Sequence, residues 1–380
     1  MPQTRRERFH ETMEHRAPER LILDLGGCPL SGIAAKPRVA LMELLGIRPD
    51  PAHVPDTNST ALDERLLRAL DIDTRAVGGI LSPEVEGAGQ ISDSEHVDCW
   101  GVRRRFTGKH WEIVESPLAD ATIDDLDAYP WPDPERIDMA IIERFARAAK
   151  RLYEETDTVI CGEHPVLGVL ELGCWVCGYE TFLSRMALDP DFVLRFFDRY
   201  FEFQRRVIEL YYPAIGPYIH YTSSGDDFAT QLASFISPGM FRRLVKPYMT
   251  ERIRLTRQYT DAAFLHHSCG NVFHLIPDLI DCGVQILNPI QPCAPEMAPA
   301  SLKEAYGDRI VFHGGVDTQG LLPRATPQEV AAATGEMLGV LARHGGYIFA
   351  AAHEIQEDVP AENVLATFTA AREYRTRELQ

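Results

Sequence analysis

Two side chains that bind zinc well, His267 and Cys269, stand two positions apart where an apolar run, residues 262–265, comes to its end. In an extended segment, residues i and i+2 point to the same side, so the imidazole and the thiolate can reach one ion together. We predict a third ligand at His353, which follows another short apolar run, residues 347–352. The alternative is a buried histidine bonded to the backbone beside an inert thiol. The residue types and their spacing favour zinc.

Both ligand segments belong to a longer alternation of strands and helices. Eight short apolar or β-branched runs are visible, around residues 21–24, 74–77, 159–162, 219–223, 264–267, 285–288, 310–313 and 347–350. Helical patterns separate most of them, which predicts an α/β fold, specifically a (β/α)8 TIM barrel. An open doubly wound sheet is the alternative. We expect a single barrel domain spanning residues 1–380.

Several helix starts carry local signals. The amphipathic segment 179–212 is broken at Asp189-Pro190, where Asp can cap a new helix and Pro can occupy its first turn. Ser237-Pro238 begins another helix. Thr326, followed by Pro327 and by Glu329, has the cap, proline and acid of a helix start.

The region 82–134 fits the barrel pattern less well. Residues 100–106 and 109–114 predict a β-hairpin inserted between barrel units in the N-terminal third of the chain. Its run of three arginines, residues 103–105, is interpreted as a solvated face, because alternating residues of a strand cannot all face one phosphate.

Polar residues follow six of the predicted strands, in segments 162–164, 223–227, 267–270, 288–291, 313–317 and 353–356. Barrel enzymes build their sites at the carboxyl ends of the strands, so we expect these segments to converge on one mouth. Glu171, Asp226 and Glu354 are candidate oxygen ligands there. Asp226 could instead cap a helix.

Composition excludes several classes of partner. A formal net charge of −18 and a pI near 5.2 oppose binding to nucleic-acid phosphates or to anionic lipid surfaces. No stretch approaches the roughly 20 apolar residues of a membrane span, and no apolar segment follows the charged N-terminus. Eight cysteines in 380 residues are too sparse for a disulfide scaffold. We therefore expect a cytoplasmic protein with reduced thiols.

Five strand-end and helix-start motifs together resemble the uroporphyrinogen decarboxylase superfamily. They are Gly225-Asp226-Asp227, His267-Ser268-Cys269-Gly270, Asn288-Pro289-Ile290-Gln291, Gly314-Gly315-Val316-Asp317 and Pro360-Ala361-Glu362-Asn363. The resemblance covers nearly the entire chain. It implies a (β/α)8 barrel and one of two chemistries: decarboxylation without a cofactor, or zinc-dependent methyl transfer with a corrinoid protein.

The decarboxylase branch resembles this chain less. Its members carry an arginine-rich N-terminal segment that holds the carboxylates of the substrate, whereas the corresponding residues 23–29 here contain no arginine. The essential aspartate of that branch could correspond to Asp73, although an acid there is equally plausible as an ordinary strand start. A metal-free decarboxylase remains the alternative, together with a noncatalytic barrel subunit.

The methyltransferase branch resembles this chain at His267-x-Cys269, the first two ligands of its zinc motif. Its third ligand is a cysteine on the last barrel strand, whereas this chain has His353 there and no cysteine after Cys293. Histidine also binds Zn²⁺, so the resemblance implies a site of two imidazoles and one thiolate. The departure leaves open that the metal differs or is absent.

The resemblance thus implies a methyl transfer between a small methylated compound and the cobalt of methylcobalamin or a related corrinoid. Because the chain has no Asp-x-His-x-x-Gly cobalamin motif, a separate corrinoid-binding protein must carry that group. We favour the O-demethylating direction, with a methoxylated aromatic as an example of the donor. Asp226 or Glu354 is predicted to relay a proton.

Substrate contacts are predicted at four polar residues: Glu171, Asn288, Gln291 and Tyr221. Aromatic side chains of Trp175, Tyr179, Phe182 and Tyr221 would suit the barrel mouth if they face it, and are otherwise core. A homodimer is a candidate assembly, but the sequence contains no evidence for or against it.

Overall fold

A computed structural model of the chain describes residues 2–48, 62–108 and 111–374. Its strands are β1 (Ile22–Leu23), β2 (Thr74–Gly78), β3 (Gly89–Ser92), β4 (Glu95–Val97), β5 (Arg103–Phe106), β6 (Trp111–Glu115), β7 (Val159–Glu163), β8 (Tyr221–Gly225), β9 (Ala263–His267), β10 (Ile286–Ile290), β11 (Val311–Val316) and β12 (Tyr347–Ala351). Eight of these form one sheet, and the remaining four form another.

The helices surround the larger sheet. They are α1 (Arg5–Met13), α2 (Ala35–Leu44), α3 (Glu64–Ala69), α4 (Ile123–Ala128), α5 (Met139–Glu155), α6 (Val169–Cys177), α7 (Tyr179–Leu188), α8 (Pro190–Ile215), α9 (Pro238–Met240), α10 (Lys246–Thr256), α11 (Ile276–Cys282), α12 (Pro299–Tyr306), α13 (Leu321–Arg324), α14 (Pro327–Leu341) and α15 (Ala361–Glu373). Short 3₁₀ turns occupy Pro29–Ser31, Pro134–Arg136, Gly216–Tyr218 and Phe273–Leu275, and a π-helical turn, Phe241–Val245, joins α9 to α10. Among the described helices, none is both long and apolar enough to cross a lipid bilayer.

The larger sheet is a (β/α)8 barrel, as predicted. Its parallel strands run in the order β1-β12-β11-β10-β9-β8-β7-β2, and each predicted apolar run coincides with one of them. The seam between β1 and β2 is bridged by Asp73. Its backbone N–H donates to the Leu23 carbonyl at 2.9 Å, and its carboxylate accepts from the Leu23 N–H at 2.8 Å. These contacts exclude the open doubly wound sheet.

Alternation along each strand divides the core into two layers. Inward-facing residues such as Ile22, Cys161, Leu265 and Ile348 form an apolar cluster inside the barrel, and Phe9 of α1 packs against it. Outward-facing residues join a larger apolar cluster that the surrounding helices cover. Barrel enzymes build their sites above a packed interior of this kind, at the carboxyl ends of the strands.

The predicted helix starts are confirmed by their caps. Asp189 accepts a hydrogen bond from the Phe192 N–H at 3.4 Å, at the break between α7 and α8. Ser237 accepts from the Met240 N–H at the start of α9. Thr326 and Glu329 form a reciprocal capping box at the start of α14.

The inserted region is larger than the predicted hairpin. Strands β5 and β6 form that hairpin, but β3 and β4 extend it to a four-stranded antiparallel sheet, and residues 109–110 of the predicted second strand lie outside the described residues. Arg103 and Arg105 both pair with Glu95, whereas Arg104 faces the opposite side and lies 4.6 Å from the ring centroid of Trp175. The prediction of a solvated arginine face is therefore wrong for Arg104, whose side chain is only 13% exposed.

Asp73 lies at the amino end of β2, opposite the mouth where barrel active sites form. Its carboxylate accepts from Arg8 Nη2 at 2.6 Å and is 3.1 Å from Arg5 Nε. The contacts assign Asp73 a structural role at the barrel seam. A decarboxylase role for this aspartate finds no support in its position.

Replacing Asp73 with alanine should destabilise the protein by about 3–5 kcal/mol, because it leaves the buried Arg8 guanidinium without its carboxylate and removes a bridge across the seam. The midpoint of chemical unfolding measures this loss. Asp281→Ala is the matched control, since Asp281 is exposed and pairs only with Lys246 among its described ion pairs. Equal midpoints for the two variants would contradict the role assigned to Asp73.

Candidate metal centre

The structure brings the three predicted metal ligands together. Strand β9 ends at His267, Cys269 follows two residues later, and His353 follows the end of β12. One ligand atom from each lies within 4.8 Å of those of the other two, and His267 Nε2 is 3.2 Å from Cys269 Sγ. Two of the residues, His267 and His353, also line a cavity. An ion held by the three side chains would therefore keep an open position toward that cavity, as catalytic zinc requires.

The alternation predicted for β9 is also observed. His267 faces the barrel interior, whereas His266 is buried on the other face and stacks on Phe228 with ring centroids 5.4 Å apart. His266 therefore belongs to the outer core and not to the site.

The loop that carries Cys269 is held by two side chains. Asp227 Oδ1 accepts from the Cys269 N–H at 2.8 Å, and Gln291 Oε1 accepts from the Gly270 N–H at 2.8 Å. Gly270 adopts φ +85°, and a Cβ at this position would lie 2.2 Å from the Thr230 carbonyl oxygen. Only glycine therefore fits the turn that places the thiol beside His267.

The chemistry of the donor set fits a metal ion. Burial, with the nearby Asp227 and Glu171 carboxyl groups, raises the pKa of the Cys269 thiol to about 12. Burial lowers the pKa of His267 to about 4, so its ring is neutral at physiological pH. Burial also lowers the pKa of His353. Two neutral imidazoles and a thiol whose deprotonation needs a cation are the groups that zinc binds.

Behind His267 runs a continuous chain of buried polar side chains. His267 Nδ1 is 2.5 Å from Asn288 Oδ1, and Asn288 Nδ2 is 2.5 Å from His313 Nδ1. His313 Nε2 in turn lies 2.7 Å from Asp24 Oδ2. Asn288 was predicted to contact substrate, but its amide oxygen lies against His267 and its amide nitrogen against His313, so its described side-chain contacts hold these two rings. A substrate contact for Asn288 stays a prediction.

Both carboxylate oxygens of Asp226 accept hydrogen bonds from backbone N–H groups in the first turn of α6. Oδ2 accepts from the Leu170 N–H at 3.1 Å, and Oδ1 accepts from the Glu171 N–H at 2.7 Å. Burial raises its pKa to about 7 although Arg252, fully buried nearby, favours the charged form. Asp226 thus binds the first turn of α6, a helix about 55 residues earlier in the chain, instead of capping a helix that follows it, and its side chain also lines the cavity.

Glu171 is the other acid with a strongly shifted pKa. Burial, followed by the charges of Asp226 and Asp227, raises the pKa of the Glu171 carboxyl to about 8, against the opposing influence of Arg104. Its side chain lines the same cavity as His267. At neutral pH this group is therefore an acid that retains its proton.

The cavity beside the metal ligands has a volume of about 260 Å³. Its wall combines apolar side chains, including Ile80, Leu167 and Trp175, with four carboxyl groups. The acids are Glu163, Glu171, Asp226 and Asp227, and no lysine or arginine lines the cavity in the part of the chain that the structure describes. Such a wall suits a small molecule without negative charge.

Four other predicted positions lie outside the cavity wall. Glu354 does not line this cavity and accepts a hydrogen bond from Gln356 at 3.2 Å. Tyr221 is fully buried in the apolar cluster inside the barrel, stacked on Phe9. Among the other aromatic candidates, Trp175 lines the cavity, Phe182 is core and Tyr179 is 46% exposed. The roles predicted for Glu354 and Tyr221 stay predictions without support from position.

Sequence reasoning missed four residues of the site. Asp227, Asp24, His313 and Arg104 contact or face its ligands and acids, and none was among the predicted site residues. For Asp227 and His313 a signal existed, since both lie in polar strand-end segments. For Asp24 and Arg104 only the tertiary structure supplies the contact.

A family model and one solved structure agree with this architecture. The sequence model described as uroporphyrinogen decarboxylase (URO-D) matches residues 107–374. A methyltransferase from Methanosarcina mazei has a similar structure, with a TM-score of 0.67 and 18% identity over 97% of this chain and 98% of that one. A glycoside hydrolase family 5 enzyme from Prevotella bryantii B14 is less similar, with a TM-score of 0.38 and 9% identity over 62% of this chain and 77% of that one. No curated protein sequence matches the chain.

Proposed function

Because the chain belongs to the uroporphyrinogen decarboxylase family, we propose that it is a zinc-dependent methyltransferase that moves a methyl group from a small O-methyl compound to the cobalt of a corrinoid protein. The observation that carries the proposal is the cluster of His267, Cys269 and His353 at the barrel mouth. The matching fold of the M. mazei methyltransferase over nearly the whole chain is consistent with it.

The cluster suits a Lewis acid better than a structural ion. The three side chains would leave a fourth coordination position, and two of them, His267 and His353, line the cavity from which a substrate would reach the ion. A zinc ion held there would withdraw electron density from the substrate heteroatom and so weaken its bond to the methyl carbon. A histidine as third ligand, where the methyltransferase branch has a cysteine, keeps the number of ligands while lowering the negative charge of the site.

The cavity wall argues against the decarboxylase alternative. A substrate with many carboxylates needs cationic partners, yet the described lining has four acids and neither lysine nor arginine. A neutral methoxylated aromatic of about ten non-hydrogen atoms would meet Trp175 and the aliphatic wall without that repulsion.

Glu171 is proposed as the proton donor in place of Asp226 and Glu354. When the methyl–oxygen bond breaks and the methyl group passes to cobalt, the oxygen keeps the negative charge and requires a proton. Glu171 retains a proton near neutral pH and lines the cavity, whereas Asp226 is bonded to two backbone N–H groups and Glu354 lies outside the lining. Donation leaves Glu171 as a carboxylate, which solvent then reprotonates.

The test is transfer of methyl from 2-methoxyphenol and a panel of other O- and N-methyl compounds to cob(I)alamin, followed by the absorbance change on forming methylcobalamin. We expect turnover with at least one O-methyl donor that stops when zinc is stripped and returns when zinc is restored. Zinc-independent turnover, or no transfer from any donor by zinc-loaded protein, would contradict the proposal. Release of CO₂ from a polycarboxylate by the stripped protein would favour the decarboxylase alternative.

A further inference from the structure

With the Asn288 amide as the structure places it, nitrogen toward His313 and oxygen toward His267, the chain of side chains behind His267 has one direction that satisfies every hydrogen bond. Asp24, His313 and Asn288 are each at most 1% exposed, so water does not supply alternative partners for them. Their successive polar atoms lie 2.7, 2.5 and 2.5 Å apart, ending at His267 Nδ1. A closed chain of this kind transmits the donor or acceptor character of one end to the other.

Asp24 determines the direction. A carboxylate only accepts, so His313 donates from Nε2, and its Nδ1, which faces the amide nitrogen of Asn288, must be bare to accept from that group. Asn288 then donates its amide N–H to His313 and turns its carbonyl oxygen to His267. His267 must therefore be protonated on Nδ1, which leaves the Nε2 lone pair free, 3.2 Å from Cys269 Sγ.

We propose that Asp24 is a positioning residue for the metal site, holding His267 through His313 and Asn288 in the tautomer whose Nε2 can bind zinc. The inference rests on the proposed function for its metal, but the tautomer exists without the metal. In metalloproteins, hydrogen bonds to the ring nitrogen that does not bind the metal orient ligand histidines, and their loss typically weakens metal binding about 10–100-fold.

Asp24→Asn should reverse the chain. Asp24 Oδ1 accepts from the Gly27 N–H at 2.8 Å and from the Thr74 hydroxyl, and these two donors would hold the oxygen of an asparagine in the same place. Its amide N–H₂ would then face His313 Nε2 and donate to it. His313 would donate from Nδ1, the Asn288 amide would turn over, and His267 would carry its proton on Nε2, where zinc must bind.

A second substitution should restore the original tautomer. In the double variant Asp24→Asn, Asn288→Asp, the new carboxylate accepts from both His313 Nδ1–H and His267 Nδ1–H. Every polar group of the chain again has a hydrogen-bond partner, and His267 Nε2 carries no proton. The double variant also has the same number of carboxylates as the wild type. A merely structural role for Asp24 provides no reason for this rescue.

The experiment measures two quantities in wild type, Asp24→Asn and the double variant. Long-range ¹H–¹⁵N spectra of metal-free protein with labelled histidine report the His267 tautomer, with its signals identified by their loss in His267→Gln. Competition with a chelator reports zinc affinity. We expect the Nδ1–H form and tight binding in wild type, the Nε2–H form and about 10–100-fold weaker binding in Asp24→Asn, and recovery of both in the double variant.

Asp317→Asn is the matched control, because it removes a carboxylate just after β11, the strand that carries His313. The described partners of the Asp317 carboxylate include the loop N–H groups of residues 319–321. Its zinc affinity and His267 tautomer should equal those of the wild type. An unchanged tautomer in Asp24→Asn, or a double variant that recovers nothing, overturns the inference. If the wild type binds no zinc, the proposed function fails, while the tautomer comparison still decides the role of Asp24.

Discussion

Protein carrying His353→Ala should bind zinc at least about 100-fold more weakly than the wild type. In zinc-finger peptides, four ligands share an apparent zinc-binding free energy of roughly 10–16 kcal/mol, which is about 3 kcal/mol for each ligand. Every 1.4 kcal/mol corresponds to a tenfold change in affinity. His353 is one of the three side chains whose ligand atoms lie within 4.8 Å of one another, so its loss leaves only His267 and Cys269. Zinc content after purification and chelator competition measure the effect.

The matched control for this substitution is His274→Ala. His274 is an exposed histidine, 65% accessible, and pairs with Glu296 at 3.4 Å, away from the cluster. Its loss should leave zinc affinity unchanged. If the wild type and the His353→Ala variant have the same zinc affinity, then His267 and Cys269 bind the ion without a third ligand, or the metal lies elsewhere.

Glu171→Gln should slow methyl transfer by about 10²–10⁴-fold, the usual contribution of a positioned general acid. Glutamine keeps the size and polarity of the side chain but cannot deliver a proton to the departing oxygen. In the wild type, the acid form predominates below the Glu171 pKa of about 8, so the rate should be level below this pH and fall tenfold per unit above it. The variant should lose that decline. Initial rates of methylcobalamin formation across pH measure both effects.

Glu171 also provides a readout that does not depend on turnover. Its pKa is raised in the folded state to about 8 from the ordinary value of 4.5, so the folded protein binds more protons between these limits. Its contribution to stability is therefore fully present below about pH 4.5 and is lost as pH rises through 8. The thermal midpoint of Glu171→Gln should change less over this window than that of the wild type.

Two neighbouring acids serve as controls for the Glu171 experiments. Glu163→Gln changes another acid of the same cavity wall, and Glu180→Gln changes an exposed acid in the first turn of α7. Neither should remove the decline above pH 8. A pH profile of Glu171→Gln that superimposes on that of the wild type would assign the proton donation to a different group.

Much of the fold could be predicted because its signals are local. Strand positions follow from short apolar runs, and helix starts follow from caps such as Asp189 and Thr326, whose hydrogen bonds span only three residues. The clustering of His267 and Cys269 could likewise be predicted, since period-two alternation alone places both side chains on one side of the chain. His353 required the further assumption that strand ends of a barrel converge.

Only the tertiary structure shows which role each acidic residue of the site has. Asp226 and Asp227 are adjacent in sequence, yet one caps α6 and the other accepts from the Cys269 N–H. The raised pKa of Glu171 arises from burial among elements that are distant in sequence. Arg104 could not be assigned to the site, because the packing of the inserted sheet against α6 has no local signature.

The sequence alone was therefore enough to predict the barrel, several helix starts and the pairing of His267 with Cys269, because these depend on hydrophobic periodicity and on hydrogen bonds between near neighbours. The tertiary structure alone decided the supporting network, in which Asp24 meets His313 across 289 residues and His313 reaches His267 through Asn288. Contacts of that kind depend on how the strands close around the barrel axis, and the order of residues along the chain does not encode that closure locally.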